Sequence, residues 1–260
     1  MKQIPNIRKF HLLNGRHQGR CLERKHSLWF SATFRAASVL GALAGAALLL
    51  PSTSHAALLS YEGFNYSTGS GNLAGQNGGF GWGDSWQTLV NGNSSVSAGN
   101  LVAGANAPSG YDSHSTGNTA LTPNGTRTGR HLDTSVGGIF GAKGFLDGNG
   151  NIGTSGKTIY ISFMQQPSIA NNNYYEFELH RGDLNDPGRI GGIGCDTAGA
   201  SSVFLRTPGM GQNLIGPAST SVSFYVVRID FNGGNDNVSV YQNPTSATEP
   251  STPTLSETGA

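Results

Sequence analysis

Residues 159–163 read Ile-Tyr-Ile-Ser-Phe, an alternation that places Ile159, Ile161 and Phe163 on one face of an extended strand. The segment Tyr174–Arg181 alternates in the same way, and Val222–Phe231 adds a third, more densely apolar face. Alternation of this kind buries one face of an antiparallel sheet against a second sheet. The sequence therefore predicts a sandwich of two packed sheets.

The rest of the chain after residue 56 agrees with a sheet protein. Helical periodicity is nearly absent, and Gly, Asn, Ser and Thr surround short aromatic and β-branched runs. The strand candidates are Tyr61–Tyr66, Ser95–Val102, Arg127–Asp133, Lys157–Gln166, Tyr174–Arg181, Arg189–Cys195, Val203–Thr207, Val222–Phe231 and Asn237–Gln242. Turns rich in Gly and Asn separate several of them. We predict an all-β, two-sheet antiparallel sandwich of jelly-roll type.

Residues 1–56 have the organisation of a removable export signal. A long basic head precedes an apolar run of 15 residues, Ala36–Leu50, and a small-x-small site ends at Ala56. We expect cleavage between Ala56 and Ala57, by the Sec route because the head contains no Arg-Arg pair. The alternative is an uncleaved anchor, but the run is shorter than the roughly 18–20 residues of a membrane span. The expected location is extracellular, on the cell surface or periplasmic, with no span after cleavage.

Charge and cysteine usage change when the signal is removed. The whole chain has 16 basic and 15 acidic residues, but residues 57–260 have 8 basic and 14 acidic ones. A chain with this acidic excess and no basic patch is not expected to bind nucleic acid or an anionic membrane. Cys21 leaves with the signal, so Cys195 stays without an intrachain partner. We interpret it as a small buried residue rather than a catalytic thiol.

The predicted organisation is a signal peptide over residues 1–56, one sandwich domain over 57–243 and a tail over 244–260. The tail is rich in Pro, Ser and Thr, which is typical of an exposed linker or extended loop. The 204 residues after the signal are long enough for one domain with a sizeable core. No pattern in them predicts an oligomeric state.

Several motifs resemble exported bacterial proteins of the concanavalin A-like lectin/glucanase superfamily (LamG-like proteins). The motifs are Leu59-Ser-Tyr-Glu-Gly-Phe-Asn-Tyr66, Leu73-Ala-Gly-Gln-Asn-Gly-Gly-Phe-Gly-Trp82, Ser135-Val-Gly-Gly-Ile-Phe140, Tyr160-Ile-Ser-Phe163, Phe177-Glu-Leu-His-Arg-Gly182 and Val227-Arg-Ile-Asp-Phe231. The resemblance covers most of residues 58–245 and implies the sandwich fold. It implies little about activity, because the superfamily includes lectins, adhesion modules and glycanases.

One departure from that family concerns the end of the chain. Its members usually continue with further strands after the Pro-rich stretch and end in a Pro-Glu-Pro (PEP-CTERM) sorting signal, whereas this sequence ends at Ala260. Jelly rolls commonly pair their first and last strands, so Tyr61–Tyr66 is expected beside an uncovered edge. Two interpretations stay open: the sandwich lacks its last strands, or the domain is marginally stable alone.

The stretch Glu176-Phe-Glu178-Leu-His180 carries the most enzyme-like pattern. Residues two apart share one face of a strand, about 7 Å from each other. Glycanases use two carboxylates about 5–9.5 Å apart, one as acid and the other as nucleophile or base. Glucanases of the concanavalin A-like superfamily place Glu, Asp and Glu at alternate positions of one strand. Here the second position is Glu178 and the third is His180. The alternative is the polar solvent face of a half-buried strand.

Two other groups of residues suggest ligands. Asp147, Asn149 and Asn151 lie in a Gly-Asn loop that lacks the ligand spacing of an EF-hand, so a turn is favoured over a calcium site. Trp82 and Trp86 occur in a Gly-rich stretch, where they either stack on sugar rings or close one end of the sandwich. No cofactor is expected, with calcium as the alternative.

Three functions follow from these observations. The first is a non-catalytic, secreted or surface-associated protein that binds carbohydrate or contributes to the cell envelope, with a glycan or envelope polysaccharide as partner. The second is a divergent glycoside hydrolase that uses Glu176 and Glu178. The third is a structural envelope protein with no small ligand. We favour the first because the catalytic pattern is incomplete.

Overall fold

The computed structural model describes most of residues 57–260 and the backbone of a short segment near the N-terminus. The described residues are 57–69, 71–90, 92–111, 117–123, 125–168, 175–182, 189–195, 202–207 and 211–259, together with the backbone of 6–13. The strands are β1 (Asn6–Leu13), β2 (Leu58–Tyr61), β3 (Gln87–Val90), β4 (Ser95–Ser97), β5 (Thr119–Leu121), β6 (Arg127–Gly129), β7 (Thr158–Gln166), β8 (Tyr175–His180), β9 (Arg189–Cys195), β10 (Ser202–Thr207), β11 (Gly211–Pro217), β12 (Ser223–Asp230), β13 (Asn237–Gln242) and β14 (Leu255–Thr258). One short helix, α1 (Ile139–Ala142), and a 3-10 turn (Gly104–Asn106) accompany them.

Two antiparallel sheets form the fold. The large sheet has the order β14-β13-β12-β7-β1-β2, and the small sheet has the order β11-β10-β9-β8. There are also two small two-stranded sheets, one formed by β3 and β6 and the other by β4 and β5. The predicted all-β sandwich of antiparallel sheets is therefore confirmed.

Strand β7 is central to the large sheet. It pairs with β12 without interruption from Gln165 opposite Ser223 to Thr158 opposite Asp230. The centre of the Phe163 ring on β7 lies 4.4 Å from the centre of the Phe177 ring in the small sheet. It lies 5.2 Å from the centre of the Tyr225 ring on β12. The alternation of Ile159, Ile161 and Phe163 thus marks the strand that packs the large sheet against the small one.

Both sheets contribute alternate side chains to one main core. The large sheet provides Ile159, Ile161, Phe163, Tyr225, Val227, Val238 and Val240, and the small sheet provides Phe177, Ile193, Val203, Leu205 and Ile215. Burial of such side chains is worth about 1.5–3 kcal/mol each relative to exposure. The residues of β7 and β8 that were predicted to face inward belong to this core or pack against it, with one exception. The exception is Tyr175, the first residue of β8, which is buried outside this cluster.

The dense apolar pattern of Val222–Phe231 has a simple cause. Its inward residues join the main core, but Phe224 on the opposite face is buried too, together with Met164 of β7. Leu101, Ala103 and Ala107 cover them from outside the sheet. A strand buried on both faces loses its alternation, so the run appears continuous in sequence.

The first strand after residue 56 differs from the prediction. It spans Leu58–Tyr61 rather than Tyr61–Tyr66. Phe64 has a φ of 51°, a left-handed conformation that is rare for an aromatic residue and incompatible with an extended strand. The backbone N–H of Phe64 donates to Oε1 of Glu62 at 2.7 Å, which fixes this bend. Hydrophobic alternation could not reveal a turn made by a buried carboxylate.

The predicted tail contains the last strand of the large sheet. Strand β14 pairs with β13 from Leu255 opposite Val240 to Thr258 opposite Asn237. Three of its four residues are polar, and it was not predicted; β3, β5 and β11, which mix polar and apolar residues, were not predicted either. Short polar strands leave little periodic signal, so their pairing depends on tertiary context.

Glu249 attaches the segment before β14 to the large sheet. Its carboxylate accepts hydrogen bonds from Tyr160 Oη at 2.7 Å, Tyr241 Oη at 2.5 Å and Arg228 Nη1 at 2.9 Å. Burial alone would raise the pKa of Glu249, but the hydrogen bonds from Tyr241 and Tyr160 outweigh it and lower the pKa. The Pro-rich stretch is therefore tied to the face of the sheet through one ionised carboxylate.

No helix among the described residues is long and apolar enough to cross a membrane. The apolar run at residues 36–50 and the proposed cleavage residue Ala56 lie outside the described ranges. Ala57, on the other side of the predicted cut, is partly buried and packs against the main core. The cleavage site itself stays a prediction.

We predict that Glu249→Gln destabilises the fold by up to about 1 kcal/mol at pH 7, because partly exposed ion pairs contribute no more than this. The lowered pKa means that the contribution is present above the ordinary value of 4.5 and is lost as the pH falls through the folded-state value. Urea unfolding of wild type and variant should therefore differ at pH 7 and converge in acid. Equal stability at pH 7 would contradict the anchoring role.

Candidate functional site

Strand β8 separates its apolar and charged side chains between two faces. Phe177 lies in the main core, while Glu176 and Glu178 point away from it on the outer face of the small sheet. The two carboxylates and His180 thus share a face as predicted from their spacing. The side chains of Glu178 and His180 are 10% and 5% exposed, so this is not an open solvent face.

Strand β9 makes space for the carboxylates. Gly194 lies opposite Glu176, and Gly192 lies opposite Glu178. Glu176 leans across β9, because a Cβ atom added at Gly192 would be only 2.0 Å from its Oε1. The absence of a side chain at Gly192 therefore lets Glu176 approach β10, where Arg206 Nε lies 3.7 Å from the same oxygen.

Three guanidinium groups surround the two carboxylates. Arg127 of β6 places Nε 3.3 Å from Oε2 of Glu178. Arg189 at the start of β9 places Nη1 3.1 Å from Glu178 and 3.5 Å from Glu176. Arg206 completes the set through Glu176. We call these three arginines, Glu176, Glu178 and His180 the sheet-face cluster.

The sheet-face cluster keeps Glu178 ionised. Burial alone would raise the pKa of Glu178, but the hydrogen bond with His180 and the charge of Arg127 outweigh it and lower the pKa to about 2. The distance from His180 Nε2 to Glu178 Oε2 is 3.1 Å. Among the described residues, the cluster brings three guanidinium groups and two carboxylates together.

This electrostatic state bears on catalysis. Glu176 Oε2 and Glu178 Oε1 lie 3.5 Å and 3.1 Å from the same atom, Arg189 Nη1. The two oxygens are therefore closer to each other than about 9.5 Å, the upper limit for the carboxylates of glycosidases. A glycosidase also needs a carboxylic acid with a raised pKa that can give up a proton near neutral pH. Glu178 cannot fill that role, because its pKa lies near 2. Glu178 is therefore held in its ionised form by its neighbours.

Two adjacent rows of residues cross the outer face of the small sheet. The register places Glu178, Gly192, Arg206 and Gln212 side by side across the four strands of the small sheet. The neighbouring row consists of Glu176, Gly194, Phe204 and Leu214. Leu214 is 58% exposed, and the ring of Phe204 is partly buried. Polar and apolar side chains thus adjoin on one surface.

Trp82 and Trp86 belong to a different cluster, built around a buried ion pair. Arg130 Nη1 lies 2.7 Å from Glu62 Oε2, and both side chains are 1% exposed. The Arg130 guanidinium carbon lies 4.7 Å from the centre of the Trp82 ring and 5.7 Å from that of Trp86. The indole of Trp86 is 6% exposed and donates to Glu62 at 3.0 Å, which leaves it little surface for a sugar. Trp82 is partly exposed, and sugar binding there stays a prediction.

The polar groups of this buried pair are extensively hydrogen-bonded. Glu62 also accepts from Tyr66 Oη at 2.7 Å, and Arg130 donates to carbonyls of Gly78 and Asp84. Burial raises the pKa of Tyr66 to about 12, and its hydrogen bond to Glu62 adds to this. The cluster stabilises a Gly-rich segment that has few apolar residues of its own.

The loop with Asp147, Asn149 and Asn151 is closed by its own carboxylate. Asp147 Oδ1 accepts the backbone N–H of Asn149 at 2.9 Å and that of Asn151 at 2.8 Å. These hydrogen bonds, led by the one from Asn151, lower the pKa of Asp147. Within the described ranges, no group of three or more His, Cys, Asp or Glu residues is placed to hold a metal ion. The geometry matches the turn that the sequence favoured.

Sequence patterns missed most partners of the two carboxylates. Arg127, Arg189 and Arg206 occur in three different strands, and their meeting depends on sheet register. A partial signal exists for Arg206, which lies between the inward residues Leu205 and Thr207 and so must face outward. Arg130 and Glu62 had no comparable signal, because charged residues are rarely buried.

We predict that Glu178→Gln removes an acid-sensitive part of the stability. Because the pKa of Glu178 falls from 4.5 to about 2 on folding, the wild type should lose about 3 kcal/mol as the pH falls from 5 to 2. The variant should lack this loss and approach the wild type near pH 2. Urea unfolding at several pH values measures it, with Val136→Ala, at an exposed residue that does not titrate, as the control. Parallel curves for wild type and E178Q would contradict the assignment.

We predict that Arg130→Met destabilises the fold by about 3–5 kcal/mol, because it leaves the buried carboxylate of Glu62 without its counter-charge. The double change Glu62→Gln with Arg130→Met should recover part of that loss. Arg228→Met, at a partly exposed arginine, is the matched control and should cost about 1 kcal/mol or less. Thermal unfolding measures all three. A loss in R130M no larger than in R228M would show that the pair is dispensable.

In comparisons with family models, curated proteins and solved structures, nothing matches this chain. The resemblance to the concanavalin A-like superfamily therefore rests on the sequence motifs alone and stays a prediction.

Proposed function

We propose that the chain is an exported, non-catalytic β-sandwich protein that binds carbohydrate through the outer face of its small sheet. The observation that carries this proposal is the pair of adjacent rows on that face. One row holds Glu178, Arg206 and Gln212, and the other holds Phe204 and Leu214.

Sugars present both kinds of surface to a protein. Their C–H faces pack on aromatic and aliphatic side chains, and their hydroxyl groups pair with charged and amide side chains. Phe204 and Leu214 supply an apolar floor, while Arg189 and the exposed amide of Gln212 supply donors next to it. The arginines of the sheet-face cluster favour glycans that carry carboxylate or sulfate groups over neutral ones.

Export fits the same proposal. The basic head, apolar run and Ser54-His-Ala56 motif form a signal that would place the sandwich outside the cytoplasm, where polysaccharides are accessible. The resemblance to lectin-like exported proteins supports this assignment at the level of fold. A structural envelope protein is the alternative if no glycan binds.

Catalysis is not part of the proposal. Glu178 has a pKa of about 2 and is in contact with two arginines and His180, so it does not serve as a general acid. A glycanase built on Glu176 and Glu178 would need one of them to be protonated near neutral pH.

The test is a glycan array that includes neutral, uronate-containing and sulfated oligosaccharides, probed with the purified chain. We expect binding to acidic glycans and about tenfold weaker binding for Phe204→Ala, because an aromatic packing contact is worth roughly 1–1.5 kcal/mol. Val136→Ala, at a residue that is 87% exposed elsewhere, is the matched control and should bind normally.

Each outcome has a defined meaning. An array without binding by the folded wild type would overturn the carbohydrate proposal and favour a structural role. Release of reducing ends from a bound glycan, abolished by Glu178→Gln, would overturn the non-catalytic part. Equal binding by wild type and F204A would place the glycan on another surface.

A further inference from the structure

The large sheet contains a position for one strand between β2 and β7. Strand β1 fills it and runs antiparallel to both neighbours, with Leu13 opposite Leu58 on one side and Leu12 opposite Ile161 on the other. Strands β2 and β7 are not paired with each other. The space between them is thus one strand wide.

The occupant of this position belongs to the segment that export would remove. Residues 6–13 precede the apolar run and the predicted cut after Ala56, whereas β2 begins at Leu58. Cleavage would take β1 away and leave the facing backbone N–H and C=O groups of β2 and β7 without partners. Such groups are rarely left unpaired when buried, because each costs about 1–3 kcal/mol.

The walls of the position are built as interior surface. Leu59 of β2 is fully buried, and β7 is buried continuously from Ile161 to Gln165. A sheet edge at the surface is normally protected by charge, proline or short length, and β7 has none of these over that run.

We infer that the gap between β2 and β7 is a β-strand acceptor site, and that an extended peptide of a partner protein occupies it after the export signal is removed. This inference rests on the proposed export. Strand addition of this kind takes its affinity from backbone hydrogen bonds and its specificity from alternate side chains.

The chemistry of the partner segment follows from the walls and from the present occupant. It should be extended, about eight residues long and antiparallel to both neighbours, like Asn6–Leu13. It should be basic, because residues 57–260 have 14 acidic and 8 basic residues and the present occupant contains Arg8 and Lys9. The expected partner segment is thus a positively charged, partly apolar strand that binds to the acidic domain of residues 57–260.

A buried amide adds a requirement at one position. The side chain of Gln165 is 1% exposed, and neither its Oε1 nor its Nε2 has a hydrogen-bond partner among the described residues. Ile7 of β1 lies directly opposite it. Cross-strand pairs have Cβ atoms about 4.5–5.5 Å apart, so an Asn at this place in the occupant can bond to Gln165. The best partner strand therefore carries a polar residue there.

The test uses the full chain with a protease site inserted between β1 and β2, cut after folding. Labelled peptides with the sequence of residues 6–13 are then exchanged into the nicked protein. We expect saturable binding, binding at least tenfold weaker for a peptide with Leu12→Pro, which lacks a backbone donor, and severalfold tighter binding for Ile7→Asn.

Amide hydrogen exchange supplies an independent readout. Successive residues of an antiparallel strand direct their backbone groups to opposite neighbours. Removing the peptide should therefore accelerate exchange at every second amide of Thr158–Gln166, at least tenfold, while the amides bonded to β12 stay protected. Uniform acceleration would mean that β1 is an inseparable part of the fold, and no acceleration would mean that it does not occupy the gap. Either result overturns the acceptor site.

Two further measurements separate the possible failures. N-terminal sequencing of the exported protein tests whether the signal is removed. If residues 6–13 are retained, β1 stays between β2 and β7 and the acceptor site is overturned. Dimerisation of the nicked chain in the absence of peptide would assign the gap to a second copy and overturn a partner protein as the occupant. Absence of peptide binding, with cleavage confirmed at Ala56, would overturn the acceptor site while leaving export intact.

Discussion

The contact between Phe163 and Phe177 holds the two sheets together, and the position of every other face follows from it. Phe163 is fully buried in the centre of the large sheet, and Phe177 is the inward residue at the middle of β8. Because side chains alternate along a strand, fixing Phe177 inward forces Glu176 and Glu178 outward. A one-residue slip of β8 would exchange the core and the charged face. The same apolar contact therefore specifies both the fold and the surface proposed to bind a ligand.

The parts of the fold that the sequence predicted are those where burial is periodic. Arg189–Cys195 and Asn237–Gln242 are strands with the expected bounds, and β7 and β12 differ from expectation by one residue at one or both ends. Prediction failed where backbone conformation depends on one polar contact, as at Phe64, or where a strand is short and polar, as in β14. Neither feature leaves a periodic pattern, because its energy comes from a distant partner.

The candidate site was half visible for the same reason. The shared face of Glu176 and Glu178 follows from the two-residue period of a single strand. Their counter-charges come from other strands, and pairing Gly192 with Glu178 on one side and Arg206 on the other requires a register that sequence alone does not contain. The ionised state of Glu178 is explained only when those arginines are placed. Sequence spacing put the two carboxylates on one face, and the contacts add the groups that hold Glu178 charged.

The glycines of β9 have a consequence for how this surface can change over evolution. Gly192 and Gly194 form a floor without side chains between β8 and β10, and an added Cβ at either place would meet Glu176 Oε1 or the Tyr175 carbonyl at about 2 Å. Gly194 is closed to substitution because its clash is with backbone, and a side chain at Gly192 would displace the Glu176 carboxylate, so variation is easier on the flanking strands. Exchanges at Phe204, Gln212 or Leu214 would alter the surface while the backbone beneath it stays unchanged. The small sheet thus combines a constant centre with adaptable margins, an arrangement suited to diversification of binding within a single fold.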